Sequence, residues 1–137
     1  MSYIPDNLRR RVIDRARSRC EYCGLAQEGQ EATFHVDHVI PVSAGGETVF
    51  DNLALACVSC SLRKAARLKA VDPQTKKEVP LYNPRNDDWN EHFHWRGVRL
   101  VGLTATGNAT VVALAMNRPI TLAIREEEAA IGRHPRW

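Results

Sequence analysis

The chain has 137 residues, 44% of them hydrophobic, with a net charge of +3 and a pI near 8.8. That suits one domain, or a small domain with an extension, and the charge is only a mild lean toward acidic partners. No apolar run approaches the roughly 20 residues that a membrane helix needs. The opening MSYIPDNLRR has no signal-like apolar stretch, so the expected compartment is the cytoplasm, with no membrane partner.

Residues 6–18 read as a helix, with Asp6 or Asn7 as N-cap and Leu8, Val12 and Ala16 on one stripe. Six arginines crowd residues 9–19 and offer a basic face. The knuckle CEYCG follows, then a polar loop, GLAQEGQEA. TFHVDHVIPV reads as a strand ended by Pro41. SAGGE is a glycine turn, TVFDNLALAC leads into CVSC, and SLRKAARLKA is a run of strong helix formers. Three prolines between Val71 and Arg85 mark a surface connection. DDWNEHFHWRGVRLVGLT suggests a β-hairpin around Arg96-Gly97, and NATVVALAMN a short helix capped by Asn108. Pro119 opens a last helix, stopped by Gly132 and Pro135.

All four cysteines fall in two C-x2-C pairs, Cys20 with Cys23 and Cys57 with Cys60. Each pair can bring two thiolates to one ion from a single turn, and Gly24 suits the turn after the first. Two such knuckles make a closed tetrahedral site for structural Zn2+. Disulfides fit a cytosolic chain poorly, and a redox pair would come singly. A closed four-thiolate site keeps no open position, so any chemistry belongs to residues between the knuckles.

Between them lies FHVDHVIP, an apolar strand carrying His35, Asp37 and His38. Gly45-Gly46, Asn52, the second knuckle and a basic helix follow in order. The run HVDHVIPVSAGGETVFDNLALACVSCSLRK, preceded by CEYCG, resembles the HNH endonuclease family, the ββα-metal or His-Me finger nucleases. The likeness covers residues 20–64. A weaker one extends to HNH proteins with an NPR…W.EHF segment, here Asn83 to Phe93.

The resemblance implies an α+β fold. A ββα-metal HNH core would be stapled by the four-cysteine zinc site, followed by a C-terminal extension of β-hairpin plus helices. The expected division is a nuclease core with the basic helix over 1–70 and an extension over 71–137 packed on it. The implied activity is metal-dependent hydrolysis of DNA phosphodiester bonds. His38 would take a proton from water, which neutral imidazole does near pH 7. Asp37 would hold a catalytic divalent ion, Mg2+ or Mn2+. Asn52 would fix the loop and orient His38, and Arg63, Lys64 and Arg67 would meet the phosphate backbone. By strand alternation His35 shares a face with Asp37, where it either supports the metal ligand or, the favoured reading, is structural. The same alternation sends Asp37 and His38 to opposite faces unless the strand end is irregular.

The family usually has His or Asn directly after the second knuckle, completing the metal site; here that residue is Ser61. Three outcomes stay open. Ser61 ligates directly or through water, as a hydroxyl can for Mg2+. Alternatively a histidine of the extension, His92 or its strand neighbour His94, takes over. Or the site binds metal poorly, leaving a catalytically degenerate, zinc-stapled DNA-binding module. A RING-like interaction module is disfavoured, because the cysteines suffice for one zinc only.

Overall fold

The computed structural model describes residues 3–135, and the chain divides into two units. The first runs through Ala66 and includes Asn83–Asn86. The second holds Arg67–Tyr82 and the chain from Asp87 onward. The architecture is α+β: the described residues form five α-helices and three two-stranded antiparallel sheets.

The first unit opens with helix α1, Asp6–Arg15, which buries Val12. It starts after Pro5 with no side-chain cap, so neither Asp6 nor Asn7 plays the expected part. It also stops short of residue 18. Arg17 and Ser18 take positive φ angles of 54° and 56°, which turn the chain into the first knuckle. Strand β1, His35–His38, pairs with β2, Leu53–Ala56, placing His35 opposite Ala56 and His38 opposite Leu53. The sequence suggests a longer β1. Val39 N–H still reaches Asn52 O at 2.9 Å, but Ile40 is bonded by the Asn52 side chain, which ends the ladder. All four residues of β2 are buried, so a continuous apolar run, LALA, fits a strand that both α1 and the helix after the second knuckle, α2 (Val58–Lys64), pack against.

Helix α2 spans Val58–Lys64. Strong formers continue to Ala70, yet the helix ends where Ala65 takes φ 49°. Closing this unit, the Arg15 guanidinium donates to the carbonyls of Phe50 and Leu53 and stacks over the Phe50 ring, 3.8 Å from its centroid. Arg85 donates to the same Leu53 carbonyl at 3.2 Å and pairs with the Glu21 carboxylate. Glu21 also accepts from Leu55 N–H at 2.8 Å. Burial raises the Glu21 pKa, and Leu55, Arg85 and Arg15 counteract it.

In the second unit the connection after residue 67 is ordered as a hairpin of β3, Lys69–Val71, and β4, Glu78–Pro80. Buried Asp72 closes its turn, accepting from Gln74 N–H and the Thr75 hydroxyl. One helical turn, α3 (Trp89–His92), is capped by Asp88. The expected hairpin follows as β5, Phe93–Arg96, and β6, Arg99–Gly102. Helix α4, Ala105–Ala113, begins before Asn108 because the Thr104 hydroxyl caps it by accepting from Gly107 N–H at 3.0 Å. Helix α5, Pro119–Ala130, opens on Pro119 as the sequence suggests. Phe93 centres this unit's core, meeting the Tyr82 and Trp89 rings at 5.2 Å each.

Candidate active site and metal centre

Cys20, Cys23, Cys57 and Cys60 are all buried, with their sulfurs within 4.8 Å of one another. Four ligands at a Zn–S distance of about 2.3 Å sit about 3.8 Å apart along a tetrahedron's edges. The Cys23 and Cys57 sulfurs are 3.8 Å apart. Each knuckle folds its own backbone onto its first sulfur: Cys23 N–H lies 3.5 Å from Cys20 Sγ, and Cys60 N–H 3.4 Å from Cys57 Sγ. The Cys57 sulfur is thereby the N-cap of α2. Gly24 completes the first knuckle at φ 80°. Hydrogen bonding to Cys20 and the other sulfurs, then burial, drives the Cys60 thiol well above its usual range. Four neighbouring sulfurs cannot all ionise unless a cation joins them. Donor set, spacing and burial therefore fit a structural metal ion such as zinc.

The polar residues of β1 divide between two neighbours. Asp37 Oδ1 accepts from the Ser61 hydroxyl at 3.0 Å, and His35 Nδ1 lies 2.8 Å from the same hydroxyl. His35 and Asp37 are two apart, so they share a strand face, and Ser61 on α2 sits across from both. Ser61 itself is 9% exposed. His38 turns elsewhere: its Nε2 lies 2.8 Å from Thr48 Oγ1, in the loop after the glycine turn. All three β1 side chains remain half-buried. Among the described residues, the cysteines are the one group of three or more His, Cys, Asp and Glu side chains whose donor atoms close on a common point. The second cluster combines one carboxylate, one imidazole and a hydroxyl.

The chain after His38 is fixed by Asn52. Its Oδ1 accepts from Ile40 N–H at 3.0 Å, and its Nδ2 donates to Ile40 O at 3.0 Å and Glu47 O at 2.9 Å. This makes Asn52 a positioning residue for the loop bearing Thr48. Gly46 is required by close approach, since a Cβ there would lie 1.7 Å from Ile40 O.

Lys64 differs from the sequence expectation. It is 2% exposed and its ammonium donates to His38 O at 3.3 Å, so it braces β1 from within and is not offered to a phosphate. Burial lowers its pKa, and the Asp37 charge partly restores it. Arg63 is exposed, with Nε 3.3 Å from Ser59 Oγ. Arg67 is exposed in the second unit, where it donates to Ala113 O. His92 also belongs to the second unit. It ends α3, not a strand, and its Nδ1 is 2.6 Å from Thr104 Oγ1. Of the two histidines offered as stand-in ligands, His92 and His94, only His94 lies on β5, where it is exposed. Thr48 and the His35–Ser61 contact are the site features that the linear order leaves out.

Residues 20–67 match the family model described as HNH endonuclease. The matched segment holds both knuckles, β1, β2 and α2, with the four-cysteine cluster. No curated protein matches the chain. No helix among the described residues is long and apolar enough to cross a membrane.

Proposed function

We propose that the chain is a metal-dependent endonuclease hydrolysing DNA phosphodiester bonds, with the chemistry in a core within residues 1–70 and residues 71–137 as an extension. The observation that carries this reading is one thiolate-stapled strand pair that bears both a His38 ring anchored on Thr48 and an Asp37 carboxylate anchored on Ser61. With Thr48 Oγ1 accepting from Nε2–H, the imidazole lone pair stands at Nδ1, where it can take a proton from water. Lys64 holds the His38 carbonyl and Asn52 holds Ile40 two residues on, so the backbone that leaves the ring is fixed before substrate arrives. Asp37 with Ser61 would hold Mg2+ or Mn2+, which supplies charge neutralisation at the phosphate and at the leaving oxygen. Exposed Arg10, Arg17 and Arg63 suit backbone phosphates, contacts that fix register and carry no sequence information. Zinc on four reduced thiolates is in keeping with a cytoplasmic location.

Ser61 favours one competing reading, a zinc-stapled DNA-binding module without activity, because a hydroxyl is a poorer ligand than the usual His or Asn. Supercoiled-plasmid cleavage separates the two. The purified protein is assayed with Mg2+, with Mn2+ and with EDTA, beside His38→Ala carrying its full zinc content. Metal-dependent nicking or linearisation that disappears in His38→Ala is expected. DNA binding with no cutting in any metal would select the binder.

A further inference from the structure

We propose that His35 is a ligand of the catalytic divalent ion, supplying from β1 the strong donor that Ser61 does not supply from α2. The inference rests on the nuclease reading above and names a residue which that reading leaves unused.

The geometry has three parts. First, His35 Nδ1 and Asp37 Oδ1 lie 2.8 and 3.0 Å from one atom, Ser61 Oγ. Adjacent corners of an octahedron with bonds of about 2.1 Å are about 3.0 Å apart. Both contacts are hydrogen bonds whose lengths are compatible with two such edges. Second, the group is not sealed. Ser61 is buried, but His35 and Asp37 are each partly exposed, which leaves a solvent side for waters and a phosphate oxygen. Third, the protonation balances. As the contacts stand, the Ser61 hydroxyl donates to Asp37, so the His35 Nδ1–H donates to Ser61. Binding an ion needs only the other neutral tautomer of His35, with the proton on Nε2 and the lone pair on Nδ1, at no change in net proton count.

Placing the imidazole on the strand has a consequence for metal choice. Carboxylate and hydroxyl oxygens alone suit Mg2+, whereas an added imidazole nitrogen favours Mn2+ and later first-row ions. His35 should thus strengthen Mn2+ binding more than Mg2+ binding. A histidine that merely oriented the Ser61 hydroxyl would affect both ions alike and would never appear in the ion's coordination sphere.

The test uses the full-length, zinc-loaded chain and Mn2+ as probe. Electron paramagnetic resonance titration gives the affinity, and electron spin echo modulation reports any imidazole nitrogen bonded to the ion. His38→Ala serves as background, so that the signal cannot come from the general base. Expected are one Mn2+ per chain and nitrogen modulation in His38→Ala. In the His35→Asn/His38→Ala double variant the modulation should vanish. Mn2+ affinity should fall at least about tenfold, the smallest loss typical of disturbing a ligand's own support, and Mg2+ affinity should fall less. Retained zinc shows that the double variant folds. Mn2+ bound without nitrogen modulation in His38→Ala overturns the role of His35 and leaves the nuclease reading standing. No Mn2+ bound beyond the zinc overturns both.

Discussion

Alanine at position 46 would put a methyl carbon 1.7 Å from the Ile40 carbonyl oxygen, 2.6 Å from its carbon and 2.9 Å from Asn52 Nδ2. A tolerable contact begins near 3.0 Å, so the backbone must give by about 1.3 Å in a packed loop. That movement breaks the Asn52 Nδ2 bond to Ile40 O and pulls Gly46 N–H from Pro41 O, each now 3.0 Å. Two hydrogen bonds at about 1 kcal/mol each, with about 1 kcal/mol of bent backbone, cost about 3 kcal/mol. Gly45 is the internal control. It has φ 88° with nothing within 4 Å, so alanine there meets only the left-handed penalty of about 1–2 kcal/mol. Amide hydrogen exchange of β2 reads the first unit directly, whereas tryptophan fluorescence would not, because Trp89, Trp95 and Trp137 all follow residue 86. Protection of Leu53–Ala56 should fall roughly 100-fold in Gly46→Ala and about tenfold in Gly45→Ala. Equal losses, or a milder loss in Gly46→Ala, would refute the close-approach argument.

Two further outcomes follow from buried groups. Lys64 has a pKa lowered by burial, so the folded chain binds fewer protons than the unfolded one from that lowered value up to the ordinary 10.5. Stability should therefore rise with pH across that window relative to Lys64→Met, and a pH-independent difference between the two would contradict the burial of this ammonium. Stripping the metal should unfold the first unit. Structural zinc contributes about 10–16 kcal/mol in small zinc domains, as much as a whole domain's stability of about 5–15 kcal/mol. The expected metal content is one zinc per chain, and a chelated protein with unchanged β2 exchange would contradict a structural role for the thiolates.

The cysteine framework was legible because ligand spacing is local: two residues between sulfurs decide what a turn can reach. The Arg96-Gly97 hairpin and the Pro119 helix start were legible for the same reason. Other features depend on partners far along the chain. The run SLRKAARLKA has strong helix propensity throughout, but pairing of Lys69–Val71 with Glu78–Pro80 outweighs it beyond Ala65. A lysine in a basic run reads as solvated, and nothing local to Lys64 announces the His38 carbonyl. Alternation put His35 on the Asp37 face, yet its importance depends on Ser61, which lies 26 residues away. Thr48 was missed because a threonine in a glycine-rich turn carries no signal of the imidazole it meets.

The Leu53 carbonyl, bonded by both Arg15 and Arg85, bears on the order in which the chain can be made. Emerging from a ribosome, the segment matched by the family would be complete at residue 67, but its strand would still lack one of its two guanidinium anchors. Glu21 would meanwhile hold a half-buried carboxylate without the arginine that pairs with it. The first unit therefore closes only after Asn86 has been synthesised, once the β3–β4 hairpin has already passed. A gene trimmed to residues 20–67 would encode both cysteine knuckles and the β1–β2 pair but leave that closure undone.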